Sequence, residues 1–102
     1  MNVQDKIKQQ ITENKIILYM KGNTELPLCG FSSRAVKILK SCHAQFATID
    51  VLQDEEIRQG IKIYSNWPTI PQLYINGEFI GGSDIMGEMF EAGELQALVK
   101  GV

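Results

Sequence analysis

The sequence predicts an α/β fold in which a four-stranded mixed sheet carries helices on both of its faces. Its 102 residues, 44% hydrophobic and 22% charged, are typical of one folded domain. In the first half, the patterns of a strand, a helix and a strand follow one another, which favours a parallel pair with a right-handed crossover. In the second half, two short apolar runs flank Asn76 and Gly77, a strong signal for an antiparallel hairpin.

The first two elements are an amphipathic helix and a buried strand. Val3, Ile7 and Ile11 recur every four residues and Asn14 follows the last of them, which predicts a helix of about three turns. The apolar residues 16–20 then predict the first strand. This run is far shorter than the roughly 20 residues that span a bilayer, so we do not expect a membrane anchor.

A loop at residues 21–28 separates this strand from a second helix, which is expected to begin at Cys29. The apolar face of this helix is predicted from residues at helical spacing, namely Phe31, Ala35, Ile38, Leu39 and Cys42. Residues 46–51 are rich in side chains that favour β structure and predict the second strand.

The second half begins with a third helix, which Asp54 is expected to cap and which runs through Tyr64. Gly60 weakens it, because glycine inside a helix costs on the order of 1 kcal/mol against alanine. The prolines at 68 and 71 exclude a helix from the next segment. After strands three and four, Ser83 is expected to cap a short helix, and Gly93 separates this helix from a last one. The order of elements matches the thioredoxin-like arrangement.

The overall charge excludes some classes of partner. Ten Lys and Arg against twelve Asp and Glu give a net charge of −2, which does not supply the basic surface of a nucleic-acid-binding protein or a polybasic membrane anchor. The first ten residues lack the continuous apolar stretch of a secretory signal. We therefore expect a cytoplasmic protein with no nucleic-acid or membrane partner.

Cys29 is the candidate reactive residue, because the backbone N–H groups and the helix dipole favour a thiolate at a helix start. Cys42 shares the apolar spacing of the second helix and is expected to pack in the core. Because 13 residues of one predicted helix would hold the two thiols about 20 Å apart, they cannot form a disulfide. Ser32 stands three residues after Cys29, so no second cysteine there can resolve a mixed disulfide.

Four motifs lie along almost the whole chain. They are Lys21-Gly22 with Pro27, Cys29-Gly30-Phe31-Ser32, Trp67-Pro68-Thr69-Ile70-Pro71-Gln72 and Gly81-Gly82-Ser83-Asp84. In this order they resemble the motifs of the short, single-domain CGFS-type monothiol glutaredoxins. The resemblance implies one glutaredoxin domain over residues 1–102 with a thioredoxin fold. Where some members have a cysteine before the aspartate, this chain has Ser83, which leaves Cys29 as the reactive thiol.

The resemblance also implies a glutathione site beside Cys29. Lys21 and Arg58 resemble the cationic contacts to the glycyl carboxylate, and Ile70 resembles the residue whose main chain pairs with the tripeptide. Ser83, at a helix start, would help to receive the γ-glutamyl carboxylate, and Asp84 would meet its ammonium group.

Three details of this site stay open in the sequence. Lys62 lies one turn beyond Arg58 and shares its helix face, which does not decide whether it contacts glutathione. The cis form of the bond before Pro71 rests on the resemblance alone. Trp67 is expected to pack at the rim of the site.

The first functional hypothesis is that the protein carries a [2Fe–2S] cluster. Such a cluster needs four sulfur ligands and one chain offers a single suitable thiolate, so two chains and two glutathione molecules would complete it. Cys29 would then be the protein's metal ligand, in a homodimer that forms when the cluster binds. The resemblance implies acceptor or scaffold proteins of iron–sulfur assembly as partners, and a BolA-type protein as a further one.

The alternative is a glutathione-dependent thiol–disulfide oxidoreductase, in which Cys29 is catalytic and removes glutathione from protein mixed disulfides. The seven residues between Lys21 and Cys29 form a longer approach that resembles the cluster carriers, so weak or no oxidoreductase activity is expected. A zinc protein is a distant third hypothesis. Two separated cysteines and the single histidine, His43, do not supply the four ligands of a tetrahedral zinc site.

Overall fold

The computed structural model describes residues 1–102 and places them in helices on both sides of one sheet. The elements in chain order are α1 (Val3–Glu13), β1 (Ile16–Met20), α2 (Gly30–Ser41), β2 (Ala47–Asp50), a short 3₁₀ helix (Val51–Gln53), α3 (Glu55–Ser65), β3 (Gln72–Ile75), β4 (Glu78–Gly81), α4 (Ser83–Glu91) and α5 (Glu94–Lys100). None of the helices is long and apolar enough to cross a membrane.

The four strands form one mixed sheet in the order β2-β1-β3-β4. β1 pairs with β2 in parallel and with β3 in antiparallel, and β3 pairs with β4 in antiparallel. Asn76 and Gly77 both have positive φ, 52° and 80°, which is the requirement of a type I′ turn. The predicted α/β class, parallel crossover and hairpin are therefore confirmed, and the architecture is the thioredoxin-like one.

Each face of the sheet carries its own hydrophobic core, because successive side chains of a strand point to opposite faces. Leu18 of β1 packs with α2, α4 and α5 residues that include Ala35, Leu39, Met86 and Leu95. Tyr19, the next residue, packs with α1 and α3 residues that include Ile7, Ile11, Ile57 and Ile61. Burying one such aliphatic side chain contributes about 1.5–3 kcal/mol, so β1, with all five residues buried, anchors both layers.

Helix α3 is continuous in spite of Gly60. The residue is buried, and a Cβ atom there would come within 3.1 Å of the Val3 and Ile7 side chains of α1. The glycine thus lets α1 and α3 pack closely, which offsets its low helix propensity. Asp54 caps α3 as predicted, because its side chain accepts a hydrogen bond from the Ile57 N–H.

Three sequence predictions differ in detail from the structure. Phe31 lies at the edge of the buried stripe of α2 and is 62% exposed, so it is not a core residue. β2 covers residues 47–50 rather than 46–51, because the Asp50 carboxylate accepts from the Leu52 N–H and starts a 3₁₀ turn. Gly82, with extended backbone, is the N-cap of α4, and Ser83 is the first helical residue instead of the cap.

Candidate functional site

Cys29 is the N-cap residue of α2, with extended backbone (φ −154°, ψ 152°). Its Sγ accepts a hydrogen bond from the Ser32 N–H at 3.3 Å, as the side chain of an N-cap residue commonly does. The thiol is half-buried. The expected position at a helix start is therefore confirmed.

The Ser32 hydroxyl is the nearest side-chain partner of the thiol. Ser32 is fully buried, and its Oγ lies 3.4 Å from Cys29 Sγ. The same Oγ accepts from the Lys21 backbone N–H at 3.1 Å, so its own proton remains free to bond a thiolate. Ser32 stands where a second cysteine would be, and it also offers a hydrogen bond to the Cys29 thiolate.

The pKa of Cys29 is lowered from its ordinary value. Burial acts in the opposite direction and is the largest single effect. It is outweighed by hydrogen bonds from the Ser32 hydroxyl and from the backbone N–H groups of Ser32 and Phe31, together with the charge of Lys21. A larger fraction of thiolate, the form that attacks disulfides and binds soft metals, is therefore present near neutral pH.

We predict that Ser32→Ala raises the pKa of Cys29, because it removes the side-chain hydrogen bond to the thiolate and leaves the two backbone bonds. The measurement is the rate of Cys29 alkylation against pH, followed by intact mass. The midpoint should move to higher pH. Ser33→Ala is the matched control, because no hydrogen bond joins that neighbouring hydroxyl to the sulfur. Equal midpoints for Ser32→Ala and the unmodified protein would contradict this role for Ser32.

The loop before Cys29 is folded back on itself. The Lys21 carbonyl accepts from the Leu28 N–H at 2.9 Å, and Gly22 pairs with Pro27 in an antiparallel bridge. Gly22 has a φ of 85°, and a Cβ atom there would lie 2.4 Å from the Leu26 carbonyl oxygen, so only glycine suits this position. Asp50 also fixes the loop by accepting from the Gly22 N–H at 3.0 Å, a contact between residues 28 positions apart that no local sequence pattern indicates.

A cleft of about 410 Å³ lies beside this loop. It brings together all five residues that the resemblance implied for glutathione, namely Lys21, Arg58, Ile70, Ser83 and Asp84. Lys62, Trp67 and Phe31 line it too, and Trp67 packs on Phe79 with ring centroids 5.9 Å apart. Cys29 is not among the lining residues, but its neighbours in space and sequence, Lys21 and Phe31, are.

Three cations line the cleft, Arg58 and Lys62 from α3 and Lys21 directly after β1. Arg58 has its guanidinium 3.7 Å from Glu55, and its buried Nε has no hydrogen-bond partner. Lys21 and Lys62 are half-buried and form no ion pair. Because a buried donor without a partner costs free energy, the part of the cleft around Arg58 suits an anionic group of a ligand.

The start of α4 forms another part of the cleft. Ser83 is buried there and Asp84 is exposed, and both lie where the first backbone N–H groups of a helix have no partner within the helix. Arg34 of α2 pairs with Asp84 at 3.2 Å. Its guanidinium lies over Gly87, where a Cβ atom would be 2.3 Å from Nη2. The Arg34 contact was not foreseen, since 50 residues separate the partners.

Ile70 also lines the cleft and precedes a cis peptide bond to Pro71. Its side chain is buried in the core beneath α1 and α3. Its main-chain N–H and C=O groups have no hydrogen-bond partner within the chain. Free main-chain groups in a cleft can pair with an extended peptide as a strand would.

Cys42 and His43 lie outside the cleft. Cys42 packs against the core and its pKa is raised by burial, so its predicted packing role is confirmed. Both cysteines are free, as expected. His43 is exposed just after α2. No group of three or more His, Cys, Asp or Glu side chains is placed to hold a metal ion.

A protein-family model and related sequences both match this chain to glutaredoxins. Residues 16–80 match the family model described as glutaredoxin. The chain is 57% identical over 95 residues to the uncharacterized monothiol glutaredoxin ycf64-like of Synechocystis, covering 93% of this chain and 89% of that protein.

Solved structures share the fold. Reduced apo GrxS14 from poplar superposes with a TM-score of 0.84 at 47% identity, covering 97% of this chain and 91% of the other. A buckwheat glutaredoxin in complex with glutathione superposes with a TM-score of 0.86 at 24% identity, covering 97% of this chain and 88% of the other.

Proposed function

The chain belongs to the glutaredoxin family, in its single-domain monothiol class, and we propose that it binds glutathione in the cleft and carries a [2Fe–2S] cluster between two protomers. One observation carries this proposal. The fold gathers cations, unpaired main-chain groups and a helix start into one cleft, and Cys29, whose pKa is lowered, lies two residues before Phe31 of the cleft lining.

The cleft offers a binding partner for each polar part of glutathione. Its glycyl carboxylate would meet Lys21 and Arg58, and the unpaired Arg58 Nε leaves that guanidinium a free donor. Lys62 lines the same wall and would add to the positive potential. Its central peptide unit would pair with the Ile70 main chain. A buckwheat relative of the same fold is known as a complex with glutathione.

The γ-glutamyl end needs both an anion site and a counter-anion. The free N–H groups at the start of α4, with Ser83, would receive its carboxylate, and Asp84 would meet its ammonium group. With both ends held in this way, the central cysteine of glutathione would lie between them, and we propose that its sulfur faces Cys29.

The number of available thiols determines how many chains and glutathione molecules the proposed cluster needs. A [2Fe–2S] cluster takes four sulfur ligands, whereas Cys42 packs in the core and leaves Cys29 as the one available thiolate. Two protomers and two glutathione molecules supply the four, with the cluster on a two-fold axis. Exposed Leu26, Leu28 and Phe31 lie within three residues of Cys29 in the sequence and would give the two protomers apolar surface to bury.

The low pKa of Cys29 also supports a second candidate function, which is removal of glutathione from protein mixed disulfides. The Cys29 thiolate would attack the glutathione sulfur, and the substrate protein would leave as a thiolate that takes up a proton. A second glutathione thiolate would then attack the new disulfide, release glutathione disulfide and regenerate Cys29. Ser32 cannot perform this second attack, which makes the reaction dependent on free glutathione.

We place the protein in the cytoplasm, where thiols stay reduced.

An exposed cluster held by two external ligands suits transfer to another protein better than permanent electron transfer. The proposed partners are therefore scaffold proteins that load the cluster and acceptor proteins that receive it, with a BolA-type protein as a further partner that the family resemblance implies.

The test is anaerobic reconstitution with ferrous iron, sulfide and glutathione, followed by visible absorption and measurement of mass in solution. The carrier proposal requires a coloured dimer with one cluster and two glutathione molecules per two chains. A colourless protein that turns over a glutathionylated substrate at about 1–10³ s⁻¹ would instead establish the oxidoreductase.

A further inference from the structure

We propose that Gln72 is a positioning residue, whose carboxamide holds residues 67–71 so that the free main-chain groups of Ile70 face the cleft. The inference rests on the proposed glutathione site and adds to it a residue that does not line the cleft. Gln72 is the first residue of β3 and is fully buried.

The Gln72 carboxamide bridges two carbonyl groups of this segment. Its Nε2 donates to the Trp67 carbonyl at 3.0 Å and to the Thr69 carbonyl at 3.2 Å. Its Oε1 accepts from the hydroxyl of buried Tyr74 at 3.0 Å. Both N–H donors are therefore used, and the phenol determines which side of the amide faces the segment.

Other hydrogen bonds do little for this stretch. The Trp67 N–H bonds back to the end of α3, through the Lys62 carbonyl and the Ser65 hydroxyl. From there to Gln72, the prolines lack N–H groups, and Ile70 has no partner for its own. The two bonds from Gln72 are thus the polar contacts that fix the course of the backbone up to Ile70.

The buried Ile70 side chain anchors the segment by apolar contact, but such contact has little directional preference. Hydrogen bonds are directional, so we infer that Gln72 determines where the Ile70 N–H and C=O point. Loss of these bonds would then weaken glutathione binding more than it disturbs the fold.

Two variants of similar size separate positioning from packing. Gln72→Met lacks a hydrogen-bond donor at any pH. Gln72→Glu lacks one when ionised but regains a single O–H donor when protonated. Glutathione affinity is measured by calorimetry at pH 8 and pH 5, each variant against the unmodified protein at the same pH. Gln45→Glu, which adds the same charge at an exposed position outside the cleft, is the matched control.

We expect Gln72→Met to weaken glutathione binding about ten-fold at both pH values, as the loss of two hydrogen bonds implies. Gln72→Glu should weaken it about ten-fold at pH 8 and recover part of the loss at pH 5. Gln45→Glu should bind as the unmodified protein does. Tyr74→Phe leaves Gln72 in place but frees its amide to rotate, and should weaken binding about three-fold even where a Gln72 variant does not fold.

Binding by both Gln72 variants within two-fold of the unmodified protein would overturn the inference and leave the glutathione site standing. If the Gln72 variants do not fold, unchanged binding by Tyr74→Phe has the same meaning. Absence of glutathione binding by the unmodified protein would overturn the proposed site itself, and with it the role of Gln72.

Discussion

Cys29→Ser is expected to abolish the visible absorption of the reconstituted protein, whereas Cys42→Ser should leave it nearly intact. A serine hydroxyl stays protonated near neutral pH and is a poor ligand for iron in a cluster, for which soft thiolates are selected. The replacement removes one sulfur ligand from each protomer, so two of the proposed four are lost. Absorption spectra and iron content per chain, measured after anaerobic reconstitution, check this prediction.

The two variants form a matched pair, because neither is expected to unfold the protein. Serine is itself a favoured N-cap residue, so Cys29→Ser retains an acceptor for the Ser32 N–H at the start of α2. Cys42 is half-buried at the other end of α2, where it is packed against the core. Equal loss of the cluster in two folded variants would show that Cys29 is not the distinctive ligand. Circular dichroism establishes that both are folded.

The elements with regular apolar spacing could be predicted from the sequence because their spacing follows from the geometry of one helix or strand. Val3, Ile7 and Ile11 need only α1 to share a face. The turn at Asn76 and Gly77 is equally local, since both residues tolerate positive φ. These predictions required no knowledge of which elements pack together.

Contacts between distant residues could not be predicted in this way. Asp50 bonds Gly22 only because parallel pairing places the end of β2 beside the end of β1, where Met20 and Asp50 are partners. Arg34 reaches Asp84 because α2 and α4 lie on the same face of the sheet.

The candidate site contains residues of both kinds, some that the sequence predicts and some that it does not. Its cysteine and its cleft residues were predicted from local motifs and the resemblance, and the fold brings the cleft residues together. Phe31 was placed wrongly because helical spacing marks the edge of a buried stripe poorly. The role of Gln72 cannot be predicted from the sequence, since its contacts with two carbonyls depend on the path of residues 67–71.

Removal of free glutathione is expected to dissociate the reconstituted dimer into monomers and to abolish its visible absorption at the same time. If two of the four cluster ligands are glutathione sulfurs, protein, cluster and glutathione are linked by mass action. Within one chain, no group of three or more His, Cys, Asp or Glu side chains is placed to hold a metal ion, and we expect no protein group to replace the missing sulfur ligands. The measurement is desalting into glutathione-free buffer, with absorption and mass followed together.

Two controls separate loss of the ligand from loss through handling. Desalting into buffer with glutathione should preserve both colour and dimer. The serine analogue of glutathione, which has the same carboxylates and ammonium group but no thiol, should enter the cleft yet fail to preserve the cluster. This contrast arises because Lys21, Arg58 and Asp84 would recognise the ends of the tripeptide, whereas only its sulfur binds iron. A coloured dimer that survives exhaustive removal of glutathione would show that protein groups alone hold the cluster, and the carrier proposal would then be wrong.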